Sequence, residues 1–167
     1  MKIILIDGYN VIHALPSLKM LLLRSFYIAQ AQFVGMVCSY CSLENIRGYV
    51  VFDAYKKEGS EIREKISSLV TVIYTAKGRT ADSFIERFII KNKSKYSFIY
   101  VITSDLAEGM TVLSENVIPV SPENFFSNIN TSLKCINKKY SPASTPFMHY
   151  LIADDVLKKI QKQNIQE

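Results

Sequence analysis

The chain is short of what several common functions require. No apolar run approaches the about 18 residues needed to span a bilayer, so a membrane protein is not expected. The first acidic residue arrives at position 7, too early for the apolar segment of a secretory signal, and a cytoplasmic protein is the expectation. Three cysteines, Cys38, Cys41 and Cys135, are too few and odd in number for a disulfide framework. Cys38 and Cys41 form C-x-x-C, but a structural zinc site needs two further ligands at comparable spacing, and the sequence offers none. The pair also falls inside a helical pattern, where free thiols pack as small hydrophobes. There is no G-x-G-x-x-G after the first apolar run, no G-x-x-x-x-G-K-[ST], no D-x-D after the first strand and no internal repeat. These absences weigh against nucleotide-binding and phosphohydrolase readings.

What is present is one domain's worth of core-forming sequence. The 167 residues are 49% hydrophobic, with a net charge of +5 and an isoelectric point near 9.0. That rules out global disorder and suits a polyanionic partner without requiring one. β-Branched and aromatic runs bounded by turn residues predict strands near 2–7, 48–53, 69–74, 98–103 and 117–120. Helical spacing predicts one or two helices between Ser17 and Leu43 and a helix capped by Thr80 with Phe84, Ile85, Phe88 and Ile89 on its apolar face. Further helices are expected from about Asp105 and after Ser121-Pro122. Strands alternating with helices give an α/β protein, a three-layer α/β/α sandwich around a mainly parallel sheet of about five strands. The domain is expected over 1–139. Residues 140–167 carry a Pro/Ser linker and then a basic helix near 154–163, with an excess of three positive charges from Lys134 onward.

Four aspartates end or follow these elements. Asp7, Asp53 and Asp105 follow apolar runs, and Asp82 opens a helix, so all four are expected at the C-terminal edge of the sheet, where ligands of open α/β sheets bind. Clustered carboxylates repel one another unless a cation lies between them, and oxygen ligands suit Mg²⁺ or Mn²⁺. Such an ion lowers the pKa of a bound water and stabilises charge on a phosphoryl oxygen, which makes a phosphodiester the natural substrate. Asp82 and Asp105 also have a purely structural reading, as acids at helix N-termini. In the turn after Asp7, Gly8 permits a sharp change of direction and Asn10 offers both a donor and an acceptor. Arg79 stands close to Asp82 to meet a phosphate. His13 and His149 receive no catalytic role.

In sum, Ile4-Leu-Ile-Asp7-Gly-Tyr-Asn10-Val-Ile-His13, Val50-Val-Phe-Asp53-Ala54, Thr80-Ala-Asp82-Ser-Phe-Ile-Glu86-Arg87 and Val101-Ile-Thr-Ser-Asp105 occur in one order. In these four motifs the chain resembles the YacP-like branch of the NYN-domain proteins, within the PIN-like nuclease superfamily. The resemblance implies a PIN-like fold and a divalent-metal-dependent endoribonuclease that cuts messenger RNA on translating ribosomes, with RNA and the ribosome as partners. It places Asp7, Asp82 and Asp105 as metal ligands and catalytic residues, with Asn10, Asp53 and Ser104 in support and Glu86 reaching the same edge through a water. Arg79, Lys56 and Lys57 are the candidate RNA contacts. The family commonly has a basic residue after its Ser-Asp pair, where this sequence has Leu106. The rival from another class is a catalytically silent RNA- or ribosome-binding module with the same fold.

Overall fold

In the computed structural model, residues 1–53, 60–104 and 115–139 are described, the side chains of 133–139 excepted. Lys56, Lys57, Asp105, Leu106, His149 and the segment 140–167, with its expected linker and helix, lie outside the described residues.

The most apolar strand is also the central one. In β1 (Lys2–Asp7) Ile3, Ile4, Leu5 and Ile6 are at most 2% exposed; burial of such a side chain is worth about 1.5–3 kcal/mol. β1 pairs in parallel with β2 (Arg47–Phe52) on one side and β5 (Phe98–Ile102) on the other. β4 (Val70–Tyr74) extends the sheet beyond β2, and β6 (Val117–Val120) beyond β5, both in parallel. These five strands match the sequence expectation to within a residue or so at each end. A sixth, β3 (Ile62–Lys65), was not expected; it pairs antiparallel with β4, giving the order β3-β4-β2-β1-β5-β6. Ile-Arg-Glu-Lys shows no buried alternation, because an edge strand is held by its ladder more than by its side chains. Arg63 adds a contact across the sheet edge, its guanidinium lying 5.7 Å from the centre of the Phe84 ring.

Strand side chains alternate between two faces, and each face has its own core. Ile4, Ile6, Val50, Phe52, Val70, Val72 and Ile102 meet α1 (Gly8–Ala14), α2 (Pro16–Leu22), α3 (Phe26–Glu44) and α5 (Pro122–Lys139). Ile3, Leu5, Val51, Ile73, Ile99 and Val101 meet α4 (Ala81–Asn92), which contributes Phe84, Ile85 and Ile89. The arrangement is the expected α/β/α sandwich. Two of the anticipated helix starts are capped as read: Thr80 Oγ1 accepts from the Ser83 N–H at 3.2 Å, and Ser121 Oγ from the Asn124 N–H at 3.2 Å. α3 ends at Asn45, in the left-handed conformation at φ 49°. Among the described residues no helix is long and apolar enough to cross a membrane.

Cys41 is buried on α3, where desolvation pushes its thiol up to about 12. A thiol so far from its anion is inert at neutral pH, and Cys38, half-buried one turn earlier, is likewise in no disulfide. The packing reading of C-x-x-C therefore holds for this pair.

Gly8 differs from its expected role. The chain does not make an open turn there but enters α1 directly, and the glycine is required by a neighbour: a Cβ at position 8 would lie 2.3 Å from Phe52 Cε1 and 2.6 Å from Cζ. Phe52 is fully buried. Gly8→Ala is accordingly expected to destabilise the fold by about 1–3 kcal/mol through overpacking, read as a lower midpoint in urea unfolding. An unchanged midpoint would show that the Phe52 ring has room to move.

Candidate active site

The strand order reverses at the centre of the sheet. From β1 the chain runs outward through β2 to β4, then returns to place β5 on the other side of β1. The crevice beyond the C-terminal ends of strands at such a reversal is where α/β proteins bind ligands. Asp7 ends β1 at this point.

Asp7 is 8% exposed. Its Oδ1 accepts the Asn10 N–H at 3.0 Å, so the carboxylate caps α1. Burial raises its pKa from the ordinary 3.8 to about 6; the Asn10 N–H opposes the shift, and the negative charges of Asp82 and Asp53 add to it. Asp82, in the first turn of α4, and Asp53, after β2, therefore each lie within electrostatic reach of Asp7.

Asp53 has a defined structural task. Its Oδ1 accepts the Ala81 N–H at 2.5 Å, and so holds the first turn of α4 against the end of β2. Thr80, the residue just before the helix, caps that turn through its side chain. The approach to it is folded tightly: Thr75 Oγ1 donates to the Arg79 carbonyl at 2.7 Å, and Gly78 takes a φ of +76°. Thr75 is 3% exposed and carried no signal in the sequence beyond its place at the end of a strand. Together these bonds set Asp82, whose side chain is exposed, on the same edge as Asp7. Arg79 is exposed immediately before the helix, and Glu86 is half-buried one turn beyond Asp82.

Asn10 closes the other side. Its Oδ1 accepts the Ser104 N–H at 2.7 Å, joining α1 to the exit of β5. Thr103, buried between them, donates its N–H to the Val120 carbonyl at 3.3 Å. Thus Asn10 and Ser104, expected as supporting residues, are bonded to each other beside Asp7. His13 is exposed in the last turn of α1.

For a divalent cation, the donor chemistry fits: the oxygens of a buried Asp7 repelled by the charges of Asp82 and Asp53 suit a hard ion. Two of the three expected ligands, Asp7 and Asp82, are among the described residues. Among the described residues no three His, Cys, Asp or Glu side chains form a group able to hold a metal, and the third expected ligand, Asp105, lies outside them.

A family model described as the YacP-like NYN domain matches residues 4–166. The protein of Bacillus subtilis (strain 168) described as uncharacterized protein YacP is 30% identical over 164 residues, 97% of this chain and 96% of that protein. The crystal structure of Rae1 (YacP) from Bacillus subtilis superposes with a TM-score of 0.67 at 28% identity, covering 99% of this chain and 96% of the other. A single-substitution mutant of the same protein gives 0.68 at 26% identity, over 97% and 96%.

Proposed function

We propose, from the premise that this chain belongs to the YacP-like NYN family, that it is a divalent-metal-dependent endoribonuclease. The observation that supports this reading is Asp7 at the sheet's reversal point, its carboxyl weakened as an acid chiefly by burial and further by the charges of Asp82 and Asp53.

In this reading Asp7, Asp82 and Asp105 hold Mg²⁺ or Mn²⁺. The ion supplies an acidic bound water near neutral pH and neutralises charge that builds on the phosphoryl oxygens. Asp53 acts as a positioning residue, since its bond to Ala81 fixes the helix that carries Asp82. Asn10 and Ser104 hold the two strand exits together, and residue 105 follows Ser104 directly in the chain. Arg79 meets a substrate phosphate, with Lys56 and Lys57 as further contacts. The substrate is messenger RNA, reached on the translating ribosome in the cytoplasm. A net charge of +5 supports association with such a polyanion.

The test is incubation of the purified protein with actively translating ribosomes and, separately, with a covalently closed RNA circle, in Mn²⁺, Mg²⁺ or EDTA. Internal cutting, and so linearisation of the circle, is expected with metal and is lost in chelator. Equal cutting in EDTA contradicts the metal-dependent mechanism. Cutting confined to free ends contradicts the endonuclease assignment, and cutting of the naked circle as fast as ribosome-bound message contradicts the need for a ribosome.

A further inference from the structure

A run of aromatic rings begins two residues from Asp7. Tyr9 stacks on Phe26 with ring centres 4.9 Å apart and planes 18° apart, and both rings stand edge-on to Phe52. Packing explains Phe52, which is fully buried, and the inner faces of Tyr9 and Phe26. It does not explain Tyr27. This ring lies 6.0 Å from Phe26 at 64°, at the outer end of the run, and is 51% exposed. Behind it, the Gln30 amide donates to the Tyr74 hydroxyl at 2.8 Å. Glu64, Tyr9 and Tyr27 all lie close enough to act on that hydroxyl, which burial above all keeps protonated.

The charge of the same layer selects the occupant. Between Asp7 and Glu44 the sequence contains no aspartate or glutamate, and Lys19 and Arg24 are its cations. Both are exposed, Arg24 just ahead of the α3 turn that carries Tyr27. Aromatic faces flanked by Lys19 and Arg24, on a stretch of chain that itself carries no acid, match single-stranded nucleic acid, with Glu64, among the described residues, the one acid that reaches Tyr74 behind them: bases stack on rings whatever their identity, and phosphates meet the cations.

We propose that Tyr27, backed by Phe26 and Tyr9, is a stacking platform for a nucleobase of single-stranded RNA whose backbone crosses the edge at Asp7. The inference rests on the ribonuclease reading and adds to it a subsite that grips the strand beside the bond to be cut. It makes the enzyme selective for unpaired RNA, since a base locked in a duplex cannot present its face to the ring.

The chain has no tryptophan, so Tyr27→Trp introduces a single reporter. In EDTA, titration with oligoadenylate is expected to quench its emission saturably, while an abasic ribose-phosphate oligomer of equal length leaves it unchanged. Binding is followed in parallel by the anisotropy of end-labelled oligoadenylate. There Tyr27→Ala is expected to weaken affinity about fivefold or more, whereas Tyr27→Phe, which keeps the ring, holds it within about twofold. Equal quenching by the abasic oligomer, or oligoadenylate that binds without quenching, overturns the platform while leaving the nuclease reading intact. Failure of the unaltered protein to bind any RNA overturns both.

Discussion

Asp82→Asn is expected to abolish cleavage, with a loss of about 10²–10³-fold or more in kcat, while the protein stays as stable as before. The two halves of this expectation come from different observations. The side chain is exposed and sits in a helix turn that Thr80 and Asp53 hold without it, so the amide leaves the fold untouched. Its charge, however, reaches Asp7, and removing it takes away one ligand from a site that depends on accumulated negative charge. RNA affinity measured in chelator should be little changed, because the aromatic and cationic surface does not involve residue 82. Retained cleavage would show that Asp82 is only a helix-terminal acid. A chain that binds RNA equally well with and without the substitution, and cuts it in neither form, would be the silent binding module.

Asp7→Asn is expected to act on stability with a sign opposite to that of most buried substitutions. A carboxyl whose folded pKa is raised binds its proton more tightly in the native state. Its contribution is therefore fully present below about pH 3.8 and is lost as pH rises through about 6. Above that range the ionised group costs the metal-free fold about 3 kcal/mol. Asparagine keeps an oxygen for the Asn10 N–H and carries no charge. In EDTA the variant should exceed the unaltered protein by up to about 3 kcal/mol at pH 8 and match it near pH 4, as read from urea unfolding at several pH values, and its cleavage should be lost as well. If the two proteins show the same pH dependence between 4 and 7, Asp7 is not the titrating group.

Much of the edge was legible from the residues alone, because the signals were local. Runs such as Ile3–Ile6 and Tyr49–Phe52 have little choice but to be buried strands, and an acid after each marks the end where polar groups return. Thr80 and Ser121 announced their helices through their capping hydroxyls. What could not be read were bonds between distant residues. Nothing in Asp53 signals that it clasps the N–H of Ala81, or in Asn10 that it accepts from Ser104. β3 escaped because three of its four residues are charged, so no apolar alternation betrayed it. The start of α1 reads as a turn because Asp, Gly and Asn within four residues usually make one; only the Phe52 ring, 44 positions later, explains why the helix opens on glycine.

The central strand of the sheet is the first to be synthesised, yet one of its flanking partners, β5, begins at Phe98. Until that segment arrives, one side of the apolar ribbon Ile3–Ile6 has no partner, and unpaired strand edges of this kind invite association between chains. Such long-range pairing slows folding. A growing chain thus cannot bring residues 10 and 104 together until β2, β4 and β5 have all followed β1, so the clasp beside Asp7 closes long after Asp7 itself has been made.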